Sequence, residues 1–281
     1  MKKQHITTSY GIIHLYITGT GPKPLVLLHG AGCDNALLSW REVMEAFPDE
    51  YTIYAPDHLG YGLSDKPTDL IGSAFYPTHI ACLKEIVDCL GLDTFALVGL
   101  SMGGAIAIGF ALQYPKRVQY LFPVASWGLS TSFPFQRLAN WYIFKTNGTL
   151  YQYQWLVKFK FFAKYFIGYS LIGNRKNITS ALTEEVLQAC SRDGAGKSMQ
   201  DFQRSSCTKE GILPFYADEL KKLRMPVIFI AGEKDPLVRL KDIKAAAKKV
   251  PKGKLYIFPK GKHWSVKEKP HAFVEIIRKY Y

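Results

Sequence analysis

The sequence predicts an α/β architecture: a mostly parallel, doubly wound sheet of about eight strands, interrupted by a helical insertion. Three observations carry this. Short apolar runs alternate with longer stretches of helical period, the pattern of successive β-α-β units. The short runs are rich in Val, Ile, Leu and Phe, as strands covered on both faces must be. One long region, 127–215, breaks the alternation and holds no strand-like run between turn signals. A chain of 281 residues can bury the core such a sheet needs.

Taken in order, Gly11–Thr18 alternates apolar and polar residues and, with Ile6–Ser9, fits an antiparallel hairpin at the sheet edge. Further strands are expected at Leu25–Leu28, Thr52–Ala55, Phe95–Val98, Tyr120–Val124, Val227–Ala231 and Lys254–Phe258. Helices are expected near Leu37–Phe47, Thr78–Leu90, Met102–Tyr114, Leu240–Lys249 and Pro270–Tyr280. Pro270 suits a first helical turn, where a missing N–H costs nothing. Pro115 stops the helix before it, and Gly91 suits the C-terminal end of another. The expected domains are a sheet core of 1–126 and 216–281 and a helical cap of 127–215.

Between those limits lies a dense aromatic run that includes Phe133, Trp141, Tyr153, Trp155, Phe161 and Phe166, interleaved with Lys145, Lys158, Lys160 and Lys164. Aromatic content this dense needs a surface to cover or a pocket to line. The lysines either meet an anionic group of the substrate or snorkel to water.

The net charge is +13, but its cations are spread along the chain and accompany no nucleic-acid module, so no nucleic-acid partner is expected. Cys33, Cys82, Cys89, Cys190 and Cys207 are odd in number and scattered, which argues against a disulfide framework and for buried free thiols. Thr7, Thr8, Ser9 and Tyr10 break any apolar signal sequence, and no apolar run reaches the ~20 residues of a membrane span. A cytoplasmic location is expected. Membrane association is not: Trp155–Phe166 mixes aromatics with lysine, but on a single helix Lys158 falls off the face shared by Lys160 and Lys164.

The stretch Val98-Gly99-Leu100-Ser101-Met102-Gly103-Gly104 puts one hydroxyl between glycines where a strand becomes a helix. The glycines relieve crowding at a sharp turn, and the turn presents Ser101 above the carboxyl edge of the sheet. The amide of Met102 opens a helix, where N–H groups are unpaired and negative charge is favoured. A serine hydroxyl needs a base. Of seven histidines, His263 follows the last expected strand, at the edge where a base should lie. His271 falls in a helix, His5 and His14 in the edge hairpin, and His79 at a helix start. Asp235, in Gly232-Glu233-Lys234-Asp235-Pro236, follows the preceding strand and can orient the imidazole; Glu233 competes. No carboxylate follows the strand before that, where Ala125, Ser126 and Trp127 stand.

Ser101, Asp235, His263 is the chain order of the α/β-hydrolase fold. The sequence resembles that family further. His29-Gly30-Ala31-Gly32 is similar to its HGxG segment, and Pro56-Asp57-His58-Leu59-Gly60-Tyr61-Gly62-Leu63-Ser64 to its turn after the fourth strand. The resemblance runs from about residue 10 to the end, the insertion apart, and the insertion lies where this family carries its cap. It implies that Ala31 and Met102 supply the oxyanion amides, and that His29 and Asp57 form turns rather than carry protons.

The resemblance implies a serine hydrolase that cleaves a carboxylic ester or related acyl compound, a carboxylesterase-like chemistry. No metal or organic cofactor is expected, since the histidines and carboxylates show no zinc-like spacing and no dinucleotide fingerprint is present. A serine at position 101 argues against the dehalogenase and epoxide hydrolase chemistries, which use aspartate there. Thioesterase, lactonase, carbon–carbon hydrolase, acyltransferase and ligand-receptor members retain the same triad and stay open. The aromatic insertion favours an apolar or aromatic acyl substrate.

Overall fold

The computed structural model describes residues 1–132, 135–208 and 211–281. The N-terminal alternation forms a hairpin, with β1 (Lys2–Thr8) antiparallel to β2 (Gly11–Thr18). The sheet continues through β3 (Lys23–Leu28), β4 (Tyr51–Pro56), β5 (Phe95–Leu100), β6 (Val118–Val124), β7 (Val227–Gly232) and β8 (Gly253–Phe258). Its order is β1-β2-β4-β3-β5-β6-β7-β8. The pairs β1–β2 and β2–β4 are antiparallel and the rest are parallel. The strands outrun the apolar runs at their ends. Lys23, Tyr51 and Pro56 join the ladder through the backbone, which hydropathy does not register.

Side chains alternate across each strand, so β3 feeds two cores at once. Leu25 and Leu27 pack in the layer of Trp40 and Phe273; Val26 and Leu28 pack in that of Met102 and Ile106. The first layer is closed by α1 (Ala36–Ala46) and, later in the chain, by the last two helices. The second is closed by α2 (Phe75–Cys89) and α3 (Met102–Gln113). The Asn35 side chain starts α1 by accepting from the Leu38 N–H at 3.1 Å. Gly91, at φ 66°, ends α2 as expected.

Between β6 and β7 the described residues form α4 (Gln136–Lys145), α5 (Gly148–Lys158), α6 (Lys160–Phe166), a π-helical turn (Ile167–Leu171), α7 (Ser180–Ser191) and α8 (Ala195–Ser206). This is the helical cap insertion; Phe133 lies outside the described residues. The second half of the core adds α9 (Leu240–Lys249), α10 (Ser265–Glu268) and α11 (Pro270–Arg278), with Pro270 in the first turn of α11. Cys82, Cys190 and Cys207 are buried free thiols, but Cys89 is exposed at the last turn of α2, so burial does not extend to every cysteine. Among the described residues no helix is long and apolar enough to cross a membrane.

Candidate active site

The carboxyl ends of β3, β5, β7 and β8 converge on one edge, and each delivers a residue. Ser101 joins β5 to α3 at φ 53° and ψ −114°, a conformation a side chain adopts only under constraint. The constraint is visible. The Ser101 N–H donates to Val124 O at 2.9 Å, and its carbonyl accepts from Ala105 and Trp127. A Cβ on Gly99 would stand 2.2 Å from the Gly103 carbonyl oxygen. One on Gly103 would stand 2.4 Å from that of His29. The glycines therefore admit the close backbone crossings that hold the turn.

His263 follows β8, and Asp235 follows β7. His263 Nδ1 lies 2.8 Å from Asp235 Oδ2, which assigns the proton to Nδ1 and leaves Nε2 as the acceptor. The other carboxylate oxygen of Asp235 accepts from the N–H groups of Leu237 and Val238 at 2.8 and 3.1 Å. Burial alone would lower the His263 pKa, but the charge and hydrogen bond of Asp235 outweigh it and raise it above the usual value. Glu233 is occupied elsewhere, accepting from the Lys260 N–H at 2.9 Å. The backbone at His263 is also held from the cap side, where the carbonyls of Ser170 and Leu171 accept from the main-chain N–H groups of His263 and Trp264.

The loop after β3 is fixed by buried polar groups. His29 Nδ1 donates to Gly30 O at 2.7 Å, and its Nε2 accepts from the His58 N–H at 2.9 Å. Both ring nitrogens are thus used, and burial pushes the pKa well down, so His29 joins two loops as a neutral ring. Asp57 accepts from the N–H groups of Ala36 and Leu63, both at 2.8 Å. Asp34 was not among the expected site residues. One of its oxygens accepts from the Gly30 N–H at 2.8 Å and from Ser39 Oγ at 2.6 Å; the other accepts from the Asn35 N–H at 2.9 Å. Burial raises its pKa to about 6 against these bonds. The signal for it was two adjacent capping-type residues, Asp34 and Asn35, where a helix needs one.

These elements enclose a cavity of about 390 Å³, lined by Ala31, Asp34, Ser101 and His263 from the core. Ile143, Tyr153, Leu156, Phe166 and Phe202 close it from the cap. Asp235 sits behind His263 and does not line it, nor does the buried Met102, whose amide opens α3 next to Ser101. No Lys or Arg lines it among the described residues, so Lys145, Lys158, Lys160 and Lys164 do not meet an anion there. Cys33 and Cys190 also line it; the neighbouring Cys190 thiol, then burial, push the Cys33 thiol well above the usual range.

Residues 23–270 match the sequence profile of the family described as alpha/beta hydrolase fold. The chain is 36% identical over 119 residues to 2-hydroxy-6-oxo-2,4-heptadienoate hydrolase from Pseudomonas putida. That match spans 42% of either chain, less than half of the relative's length. It is 28% identical over 274 residues to 2-hydroxy-6-oxononadienedioate/2-hydroxy-6-oxononatrienedioate hydrolase from Burkholderia vietnamiensis, covering 94% of this chain and 89% of that one. The solved structure of 2-hydroxy-6-oxo-6-phenylhexa-2,4-dienoate hydrolase from Rhodococcus sp. strain RHA1 superposes with a TM-score of 0.80 at 18% identity, over 99% of this chain and 97% of that one; the likeness is one of fold.

Proposed function

The chain belongs to the α/β-hydrolase fold family, and from that premise we propose that it is a serine hydrolase acting on an uncharged, apolar or aromatic carboxylic ester. One observation carries the reading: a serine on a constrained strand-to-helix turn shares an apolar cavity with a histidine held by a buried aspartate. Ser101 Oγ attacks the ester carbonyl and His263 Nε2 takes its proton. The imidazolium is stabilised by Asp235 on the Nδ1 side. The amides of Ala31 and Met102 receive the oxyanion. His263 then protonates the leaving alcohol, and water, deprotonated by the same nitrogen, cleaves the acyl-enzyme. In this reading 127–215 is the cap that sizes the acyl pocket, and the core of 1–126 and 216–281 carries the chemistry.

The second reading is carbon–carbon bond hydrolysis, favoured by the names of the relatives in Pseudomonas putida and Burkholderia vietnamiensis. Those names describe carboxylates. A buried carboxylate needs a counter-charge, and the cavity offers Asp34 but no cation among the described residues. That places the ester first.

Initial rates on p-nitrophenyl esters from acetate to laurate, for wild type and Ser101→Ala, test the proposal. The variant should lose on the order of 10⁴- to 10⁶-fold in turnover. A variant as active as wild type refutes the serine mechanism. A folded wild type that ignores every ester but cleaves a 2-hydroxy-6-oxodienoate moves the assignment to the second reading.

A further inference from the structure

The cap turns an aromatic face outward. In α6 the buried Ala163 and the half-buried Phe166 line the cavity, while Phe161, Phe162 and Tyr165 lie at 73%, 45% and 62% exposure. A helix that exposes three of its four rings departs from the usual burial preference. The rings form a continuous surface. Trp155, itself 57% exposed, lies 5.2 Å from Phe159 and 6.3 Å from Phe162 between ring centroids, and Phe161 lies 5.9 Å from Phe162.

This surface is also strongly cationic. No Asp or Glu occurs between Asp93 and Glu184, whereas residues 135–183 carry seven Lys and Arg. Glu184 answers Lys160 at 3.1 Å, and Lys158 holds its ammonium 5.6 Å from the Phe159 ring centre. The single-helix wheel that set a membrane aside does not apply. The helix breaks at Phe159, so Lys158 ends α5, beside the Phe159 ring, while Lys160 and Lys164 belong to α6.

We propose that this face of the cap docks on an anionic lipid bilayer, with its rings in the interfacial layer and its lysines against the headgroups. Aromatic side chains interleaved with lysine are the composition of interfacial helices. Glu184 neutralises Lys160, but Lys158 and Lys164 have no acidic partner within 135–183, and this excess of cations makes the face complementary to negative lipid and repulsive toward a second copy of itself, which a two-fold dimer through this patch would require. Trp155, Phe159 and Phe162 meet one another tilted or edge-on, while Tyr165 stacks on the exposed Tyr169 with the ring planes 9° apart. The inference concerns the outer surface and does not depend on the reaction inside.

Flotation of the full chain with vesicles of phosphatidylcholine, alone or with an equal part of phosphatidylglycerol, tests it. The protein should float with the mixed vesicles, remain behind with the neutral ones, and be released by salt. Lys158→Glu/Lys164→Glu should weaken binding by at least about 25-fold, taking about fivefold per lysine. Phe161→Ser/Tyr165→Ser should abolish it with every lysine in place. Neither pair lines the cavity, so both variants should retain the melting temperature and the rate on p-nitrophenyl acetate. Failure to float with mixed vesicles, equal flotation with neutral ones, or indifference to both variants overturns the proposal. So does a dimer, or a complex with a single-stranded oligonucleotide, that forms in place of vesicle binding and is lost in Phe161→Ser/Tyr165→Ser.

Discussion

The sheet edge and the cap hold the two sides of one cavity by different means. At the sheet edge Asp34 and Asp235 hold backbone N–H groups of their own loops, and Asp57 and His29 hold those of separate loops, with bonds between 2.8 and 3.1 Å. In the cap, α4, α5 and α6 begin without a side-chain cap, and apart from Gln152 and Tyr153 their inward residues meet the cavity as hydrocarbon. Polar ties from cap to core run around the cavity rather than through its cap wall, such as Tyr61 Oη to Ser198 O at 3.2 Å, Tyr76 Oη with Ser206 Oγ at 2.8 Å, and the Gly173 and Asn174 N–H groups to Glu268 at 2.9 and 2.7 Å. Directional bonds fix where atoms are, whereas apolar contact fixes how much space is left. Substitutions at the sheet edge should therefore change turnover, and substitutions in the cap should change which substrate is turned over.

The sharpest way to break that distinction is Asp235→Asn. The amide leaves the loop geometry nearly intact but removes the charge that orients and stabilises the imidazole, so kcat should fall by about 10⁴-fold with little change in KM. In the proposed mechanism His263 must be neutral to take the serine proton. Its raised pKa means that the wild-type kcat/KM climbs with pH through a midpoint above the usual histidine value. In Asp235→Asn burial is no longer outweighed by that charge, and the midpoint of the residual activity should move to lower pH. A midpoint that stays put would show that Asp235 does not set the titration.

Next in size is a change that alters no functional group. Gly103→Ala puts a methyl within 2.4 to 2.6 Å of the carbonyl oxygens of His29 and Leu28, all of them backbone and unable to yield. The expected cost is about 4 kcal/mol or more, read as a loss of soluble protein or a large drop in melting temperature. A Gly103→Ala variant with native stability would mean that the turn is not held by those crossings.

The same contrast governs what could be read in the sequence. The strands, the hairpin and the outer helices were legible because hydropathy and local punctuation determine them: Pro270, Gly91 and Pro115 mark helix ends by their own backbone limits. The turn at Ser101 was legible because only glycine fits its neighbours. The arrangement of the cap was not. Tyr151 and Tyr153 are the same residue type two positions apart, yet Tyr151 is exposed and Tyr153 lines the cavity, and only packing against α7 and α8 decides this. The break at Phe159 carries no glycine or proline to announce it. Asp34 escaped notice because its partners, Gly30 and Ser39, are common residues that become its ligands only once the loop closes.

Asp34 offers the third test. Its folded-state pKa of about 6 exceeds the ordinary 3.8, so the native protein holds that proton more tightly than the unfolded chain does. Its contribution to stability is full below about pH 4 and is lost as pH rises through about 6, a change of about 3 kcal/mol across the window. Denaturant titrations of wild type and Asp34→Asn at a series of pH values should differ by that slope, since Asn does not ionise. Parallel curves would remove the buried charge from the account. Asp34→Asn should also lower kcat rather than raise KM, because the Gly30 amide it holds precedes the Ala31 amide of the proposed oxyanion site.

The smallest effect belongs to the cap. Leu156, on α5, is almost wholly buried and lines the cavity wall. Leu156→Ala removes hydrocarbon from the wall without touching a hydrogen bond, so the cavity grows while the sheet edge keeps its geometry. A short acyl chain then loses contact worth about 1 to 3 kcal/mol, which lowers its kcat/KM by roughly tenfold or more through KM. A longer chain fills the vacated space and gains relative to wild type, so the preferred ester should lengthen along the acetate-to-laurate series while the pH midpoint set by His263 stays fixed. Phe161→Ser, on the outward face of the neighbouring helix, should leave the preferred length unchanged. If Leu156→Ala instead lowers kcat uniformly for every chain length, the cap takes part in positioning the reacting groups, and the division between an edge that fixes atoms and a cap that fixes volume fails at the contact between the π-helical turn and His263.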